Sequence, residues 1–322
     1  MKVLIIGIEG SSGWQKSDGS YSFAFVDAFG ELAGSDSNTQ KWIDDNCVMF
    51  NNYKESVAEF TPDFVSICVP NFVKNDTEME LYIIEKRIPL LISKLRLRDR
   101  RDFDLLIEAA EGNNSDVYIG EFYRYIPCVQ TVKAIIESGE IGVPEQMRYE
   151  CGLPYGEIAP WESNYRHLSL EDLAFHHFSV IHYLIDITPE TVCGESYTPT
   201  KGGGIGGTVS SALITTKKSC HISHCIDWHN TMRKTDFLGD FYIDGSKGGI
   251  SVKDGCVYTM NWGGTVMEVP VSAVNEAIMV SETTAPEKFM AGKTDELWTV
   301  HDFKPVIECI YKAIGEKGDD NL

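Results

Sequence analysis

Residues 120–150 read GEFYRYIPCVQTVKAIIESGEIGVPEQMRYE, and the character of the chain changes within them. Pro127 opens a helical stretch and Gly139 closes it, using the fixed φ of proline and the left-handed freedom of glycine. Upstream, KVLIIG (2–7), DFVSICVP (63–70), IPLLIS (88–93) and DVYIGEFY (116–123) read as buried strands. Between them, NDTEMELYIIEKR (75–87) and RDFDLLIEAAEG (101–112) carry helical spacing, with Gly112 as a C-cap. This alternation predicts βαβ units around a parallel sheet.

Downstream a second helix is expected over about 170–186, and the chain is strand-rich from 191. GTVSSALITT, SCHISHCIDW and DFYIDGSKGGISVKDGCVYT alternate in the manner of strands, with DGSKGG and KDG as turns. A last helix covers 302–317. The expected fold is α/β: a Rossmann-like parallel-sheet domain over 1–121, then an α+β domain with a largely antiparallel open sheet over 122–322. The second domain would bind substrate and oligomerise. KGGGIGG (201–207) leads into a strand rather than a helix, so it makes a poor phosphate cradle.

Charge narrows the partners. The net charge of −20 argues against nucleic acid and anionic membranes. No apolar run reaches the roughly 18 residues of a membrane span. MKVLIIGIEG reads as a first strand rather than as a signal peptide. Nine cysteines without a CxxC pair read as reduced cytoplasmic thiols. The expectation is a cytoplasmic protein with a small-molecule substrate. ALITT and CHISHCIDW place apolar residues on both strand faces in places, which predicts a homo-oligomer.

LEDLAFHHF (170–178) holds two adjacent histidines after an aspartate. At helical spacing, Asp172, His176, Ser179 and Tyr183 form a polar stripe. Leu173, His177, Val180, Ile181 and Leu184 form the apolar stripe beside it. His176 therefore shares a face with Asp172, and His177 points to the core. The bland alternative is a solvated i,i+4 pair. CHISHCIDWH (220–229) invites a metal reading. Strand alternation puts Cys220, His224 and Trp228 on one face and His221, Cys225, Asp227 and His229 on the other. Same-face i,i+4 positions lie about 13 Å apart on a strand, so no metal site is expected.

Several of these stretches resemble one family in order and spacing, the glucose–fructose oxidoreductase and inositol dehydrogenase (Gfo/Idh/MocA) family. DFVSICVPN resembles its fourth strand, which ends in proline and asparagine. PLLISKLRL resembles the strand of its Glu-Lys-Pro motif. Residues 120–150 resemble its domain-crossing strand and helix, and EDLAFHHFSVIHYLID resembles its Asp-x-x-x-His helix. The resemblance implies an NAD(P)-dependent oxidoreductase acting on a sugar, polyol or related small carbonyl or hydroxyl compound. It assigns catalysis to Lys94, Asp172 and His176, and cofactor binding to Gly7, Gly10, Gly13, Asp27, Pro70 and Asn71. It places Tyr123 and Arg124 where relatives often contact substrate. In WESNYRH (161–167), Trp161 could stack on a sugar ring and Arg166 could pair with a carboxylate. A packed loop anchor is the competing reading.

The chain departs from the family at several points. Its first turn reads GIEGSSG, with Glu9 where the fingerprint has the glycine that lets backbone approach a pyrophosphate. Only about a dozen residues separate Gly10 from YSFAFVDAF. As a strand, FAFVDA places Asp27 where an acid would hold ribose hydroxyls. As a helix, Tyr21, Phe25, Ala28, Phe29 and Leu32 form one stripe between Ser20 and Gly34. The count from Asp27 to Ser66 favours the strand. Lys74 stands where the family often has histidine, and Glu-Lys-Pro has become Ser93-Lys94-Leu95. These departures imply that NAD or NADP binds weakly or not at all. The alternative function is a non-redox descendant that has lost the dinucleotide: a ligand-binding or partner protein, or an enzyme of different chemistry.

Overall fold

The computed structural model describes residues 1–68, 77–95, 99–154, 165–200, 206–271, 281 and 283–315. Pro70, Asn71 and Trp161 lie outside them. The chain divides into two compact units, Met1–Phe122 with Val280–Phe303, and Tyr123–Met279 with Lys304–Leu322. The segment that the sequence reading placed in the second domain, 281–303, packs instead with the first.

The first unit is built on β1 (Lys2–Ile6), β2 (Ser22–Val26), β3 (Cys47–Phe50), β4 (Phe64–Ile67), β5 (Leu90–Ile92) and β6 (Val117–Ile119), all parallel, in the order β3-β2-β1-β4-β5-β6. The short strand Trp298–Thr299 adds antiparallel to β6. Strands buried on both faces need apolar residues at every position, which is why β1, β4 and β5 stand out as continuous runs. β3 does not: CVMF is an edge strand with its two central residues exposed, and periodicity does not register it. Helices α1 (Ser37–Asn46), α2 (Tyr53–Phe60), α3 (Glu78–Glu85) and α4 (Arg100–Asn113) connect the strands. Asp36, Asn52 and Asp99 cap α1, α2 and α4 by accepting from first-turn N–H groups. Contrary to the sequence reading, α4 runs through Gly112, and Asn114 at φ 50° takes the C-cap.

The β1–β2 connection holds no α-helix, only the 3-10 turn Ser11–Lys16. Its Trp14 is fully buried among Tyr21, Phe23, Phe64 and Phe289, with centroids 5.8–6.3 Å away. Phe289 belongs to the returning helix Thr284–Met290. A Cβ on Gly13 would come 2.8 Å from the Thr283 carbonyl and 2.9 Å from Pro286 Cβ. Glycine is therefore required there for close packing against that helix. The return supplies apolar cover that the reduced first crossover lacks.

The second unit holds α5 (Pro127–Ser138), with Pro127 at N1 and Gly139 at φ 74° as its cap. Its sheet comprises β7 (Pro144–Gly152), β8 (Pro189–Tyr197), β9 (Val209–Thr216), β10 (His221–Asp227), β11 (Asp240–Gly245), β12 (Gly248–Lys253), β13 (Cys256–Asn261) and β14 (Met267–Val269). The order is β8-β9-β10-β7-β11-β12-β13-β14, and only the central β7–β10 pair is parallel. Asp254 and Gly255, at φ 50° and 74°, make the tight turn between β12 and β13. A π-turn, Ser169–Leu173, leads into α6 (Ala174–Ile185). The last helix, Lys304–Ile314, lies on β8, where a Cβ on Gly194 would meet Ala313 Cβ at 2.8 Å.

Candidate functional site

In the second unit the candidate groups converge on the start of α6. Asp172 is half-buried within the π-turn, which closes with the Ala174 N–H on the Ser169 carbonyl. A π-turn widens the helix by one residue and is often found at functional sites. His176 follows one turn later, 8% exposed. Its ring stacks on Tyr123 with centroids 4.3 Å apart and planes 14° from parallel. Tyr123 sits in the turn Tyr123–Tyr125 that leads into α5.

Arg124 in that turn is buried. Its guanidinium donates from Nη2 to the Tyr125 hydroxyl at 2.5 Å and lies 4.7 Å over the Tyr125 ring. Gln130 donates to the Arg124 carbonyl and to the Tyr183 hydroxyl, 3.1 Å away, and Lys133 Nζ donates to the Tyr183 carbonyl at 2.8 Å. These bonds tie α5 to α6 and fix the turn that holds Tyr123. Ser179 is not part of an open polar stripe. It is fully buried and its hydroxyl donates to the Phe175 carbonyl at 2.7 Å. Arg166 is exposed, while its carbonyl lies 2.6 Å from where a Cβ on Gly206 would be. Its backbone is a packed anchor and its side chain faces solvent.

His177 belongs to the core, as the spacing expected. A carbonyl can only accept, so His177 Nε2–H donates to the Phe237 carbonyl at 2.8 Å. Nδ1 is then an acceptor, and His224 Nε2–H donates to it at 3.0 Å. Burial pushes His177 down to about 4 and His224 well below the usual range, with His177 adding to the second effect. Both rings are thus neutral scaffolding at pH 7. Sequence reasoning assigned His177 to the core but missed His224 as its partner. The clue was its even register on β10, whose even positions, like the flanking Cys220 and Trp228, are the buried ones.

In the first unit, Lys94 follows β5 directly and is half-buried. Ser93 N–H bonds the Ile67 carbonyl at 2.9 Å, and Gly120 N–H bonds the Ile92 carbonyl at 2.7 Å. The lysine therefore sits at the carboxyl end of the sheet, where open α/β sheets bind ligands.

The turn after β1 retains part of a dinucleotide site. Gly7 and Gly10 adopt φ 85° and 81°, which favour glycine. Gly13 serves packing instead. Segment 21–33 is a strand up to Val26, and Asp27 ends it. Asp27 is engaged in its own loop, accepting from the Glu31 N–H at 2.8 Å and the Leu32 N–H at 3.3 Å. That loop turns back over the glycines. A Cβ on Gly7 would lie 2.9 Å from the Phe29 ring and 2.3 Å from the Cys68 carbonyl. Burial pushes the Glu31 carboxyl up, an effect to which the Asp27 charge adds. Glu9 and Glu31 both act on Cys68 at the end of β4, whose thiol burial raises to about 12. Intact dinucleotide sites offer free N–H groups and the positive end of a helix to the pyrophosphate. This turn offers a six-residue 3-10 helix, the Glu9 carboxylate and a phenyl ring over Gly7. As a pyrophosphate cradle it is poorer than the intact fingerprint.

Residues 129–251 match the GFO/IDH/MocA C-terminal domain. The second unit carries a Gfo/Idh/MocA C-terminal domain. Solved structures agree along nearly the whole chain. An oxidoreductase from Agrobacterium radiobacter, in complex with NAD+, L-tartaric acid and magnesium, superposes with TM-score 0.79 at 16% identity, covering 98% of this chain and 96% of its own. UDP-N-acetylglucosamine 3-dehydrogenase from Acidithiobacillus ferrooxidans gives 0.74 at 16%, covering 98% and 97%. Aldose-aldose oxidoreductase from Caulobacter crescentus, complexed with glycerol, gives 0.74 at 13%, covering 97% and 96%. No curated protein matches the sequence. At these identities the likeness is one of fold. Within the Gfo/Idh/MocA domain, α6 carries His176 and its π-turn carries Asp172. Among the described residues no helix is long and apolar enough to cross a membrane.

Proposed function

We propose that the protein is an oxidoreductase of Gfo/Idh/MocA type acting on a sugar, polyol or related small hydroxyl or carbonyl compound. The observation that carries this reading is His176, held flat on Tyr123 one turn after Asp172 in a domain that matches the family. Oxidising a secondary alcohol removes a hydride from carbon, which a bound nicotinamide would take, and a proton from oxygen. Imidazole suits the proton in either direction because its ordinary pKa lies near neutrality. By resemblance, Lys94 steadies negative charge developing on the same oxygen and Asp172 serves beside His176. The three similar structures are described with tartaric acid, a nucleotide-linked amino sugar, and an aldose activity with glycerol bound. A panel of polyhydroxylated compounds is the place to begin.

A second reading is favoured by the loop over the first turn. Phe29 occupies space over Gly7 that a dinucleotide would need. On that reading the chain keeps the fold and a ligand site at α6 but performs no redox step. Titration of NADH and NADPH followed by nicotinamide fluorescence separates the two. Binding with turnover of one panel compound, lost in His176→Ala, supports the first. No binding at millimolar cofactor, with a panel compound still raising the melting temperature, supports the second. The site contacts proposed for Tyr123 and Arg124, a cytoplasmic location and a homo-oligomeric state belong to both readings.

A further inference from the structure

We propose that Ser169 is a positioning residue: its double contact with the Gly207 carbonyl holds the π-turn and thereby sets the direction of Asp172. The inference lies within the second unit. It rests on the functional reading only where turnover is measured.

The N-terminal side of the turn is fixed to the sheet. Leu168 N–H donates to the Gly206 carbonyl at 3.3 Å, and Ser169 N–H donates to the Gly207 carbonyl at 2.9 Å. The fully buried Ser169 hydroxyl donates to that same Gly207 carbonyl at 2.7 Å. One residue thus fills both lone pairs of one oxygen. His167 Nδ1 is hydrogen-bonded to Ser196 Oγ at 2.7 Å, and the His167 N–H donates to the Glu171 carboxylate at 3.0 Å. Gly207 N–H donates to Thr198 Oγ1 at 3.0 Å, which fixes the acceptor residue from its other side. A Cβ on Gly207 would lie 2.6 Å from His167 Cα and 2.9 Å from Ser196 Oγ, so only glycine permits this approach.

The C-terminal side is fixed by packing, because every residue from Leu173 to Ile181 is buried. Between these two anchors the chain carries one residue more than an α-turn needs. The π-turn absorbs it: the Ser169 carbonyl accepts the N–H of Ala174, five residues on. An α-turn would use the Leu173 N–H instead, and each residue inserted or removed rotates what precedes it by about 100° around the axis. Asp172 lies inside the turn, so its direction relative to His176 depends on the turn being kept. Without the Ser169 hydroxyl, one lone pair of the Gly207 carbonyl is left empty in a buried place, and the anchor that opposes relaxation to an α-turn is weakened.

The test compares Ser169→Ala with Ser179→Ala in the full chain. Each loses one fully buried hydroxyl that donates to a backbone carbonyl at 2.7 Å, but only Ser169 belongs to the π-turn. Melting temperatures should fall by similar amounts. Crystal structures of the two variants read the geometry. In Ser169→Ala the carbonyl of residue 169 should pass from the Ala174 N–H to the Leu173 N–H and carry Asp172 round, whereas Ser179→Ala should keep the π-turn. With a panel compound that is turned over, Ser169→Ala should lower kcat by about tenfold or more while KM changes less. Ser179→Ala should stay within twofold. A folded Ser169→Ala that keeps the π-turn would overturn the proposal, and so would equal losses of kcat in the two variants. Should Ser169→Ala not fold, Ser169→Cys, whose thiol is only a weak donor, goes through the same measurements under the same criteria. If no panel compound is bound or turned over, the functional reading fails, while the crystal structures still decide the role of Ser169.

Discussion

His224 donates to His177 at 3.0 Å, and His177 donates to the Phe237 carbonyl at 2.8 Å, so two adjacent rings in one core must both stay neutral. In this chain only one proton can lie between the two rings. Adding another would leave two N–H groups facing each other in a site without water access.

This arrangement sets a pH dependence. Folding lowers the His177 pKa to about 4 and places His224 well below its ordinary 6.5. Between these values and 6.5 the unfolded chain binds more protons than the folded one, so stability falls as pH falls through that window. Above 6.5 the pair contributes fully. We expect the unfolding free energy to drop by on the order of 2 kcal/mol per histidine between pH 7 and pH 5. Urea unfolding at the two pH values measures it. A slope that persists unchanged in His177→Phe/His224→Leu would show that other groups are responsible.

His176 and His177 should separate cleanly on substitution. His176→Ala should abolish turnover or ligand response with only a small loss of stability, because its ring lies against Tyr123 at the border of the core. His177→Ala should cost about 2–4 kcal/mol, since it opens space and strands the Phe237 carbonyl and the His224 N–H. Thermal melting alongside a ligand-shift assay reads both. The reverse pattern would move the site to the other face of α6.

Gly13→Ala should destabilise the first unit by about 1–3 kcal/mol. The added methyl would press on the Thr283 carbonyl and Pro286 Cβ, both within 3 Å. Denaturant midpoints for Gly13→Ala and for Gly19→Ala provide the comparison. Gly19 has open space around its Cβ position, so it lacks this clash and pays only for its left-handed φ of 81°. A smaller loss at Gly13 than at Gly19 would mean that the helix Thr284–Met290 yields easily.

The outer face of the second sheet should be covered by another copy of the chain. β9 turns Leu213 outward at 63% exposure, and the β13–β14 hairpin leaves Met260, Trp262, Val266 and Met267 exposed. Light scattering at micromolar concentration should give a mass above that of one chain, and Leu213→Lys should lower it. A monomer mass for the unmodified protein would refute this expectation.

The sequence made the central strands legible because burial on both faces leaves nearly continuous apolar runs in KVLII and FVSI, broken only by Lys2 at one end and the small Ser66. It made α5 legible because proline and glycine mark both ends. Three features escaped for physical reasons. β3 is a half-exposed edge, so its pattern is that of a loop. The π-turn before α6 changes hydrogen bonding without changing composition, and α6 is buried all round from Ala174 to Ile181, so the expected polar stripe has no open side at Ser179. The placement of Phe29 over Gly7 depends on where a loop folds back, and spacing along the chain carries no such information. An apolar Phe29 beside Gly30 and two acids in a short loop was the only clue. His176 and Lys94 are assigned to the site from motif order and, for His176, helix spacing, whereas the core pairing of His224 with His177 needed the strand register.

The helix Thr284–Met290 has a consequence for synthesis. Trp14, Phe23 and Phe64 leave the ribosome early, yet the Phe289 ring that packs on Trp14 and Phe64 is made more than two hundred residues later. Through that interval a nascent chain must carry part of an aromatic core uncovered, and such surface attracts chaperones and neighbouring chains. The part of the molecule translated first is thus completed nearly last. A premature stop before residue 284 would be expected to yield an aggregating product rather than a free-standing first domain.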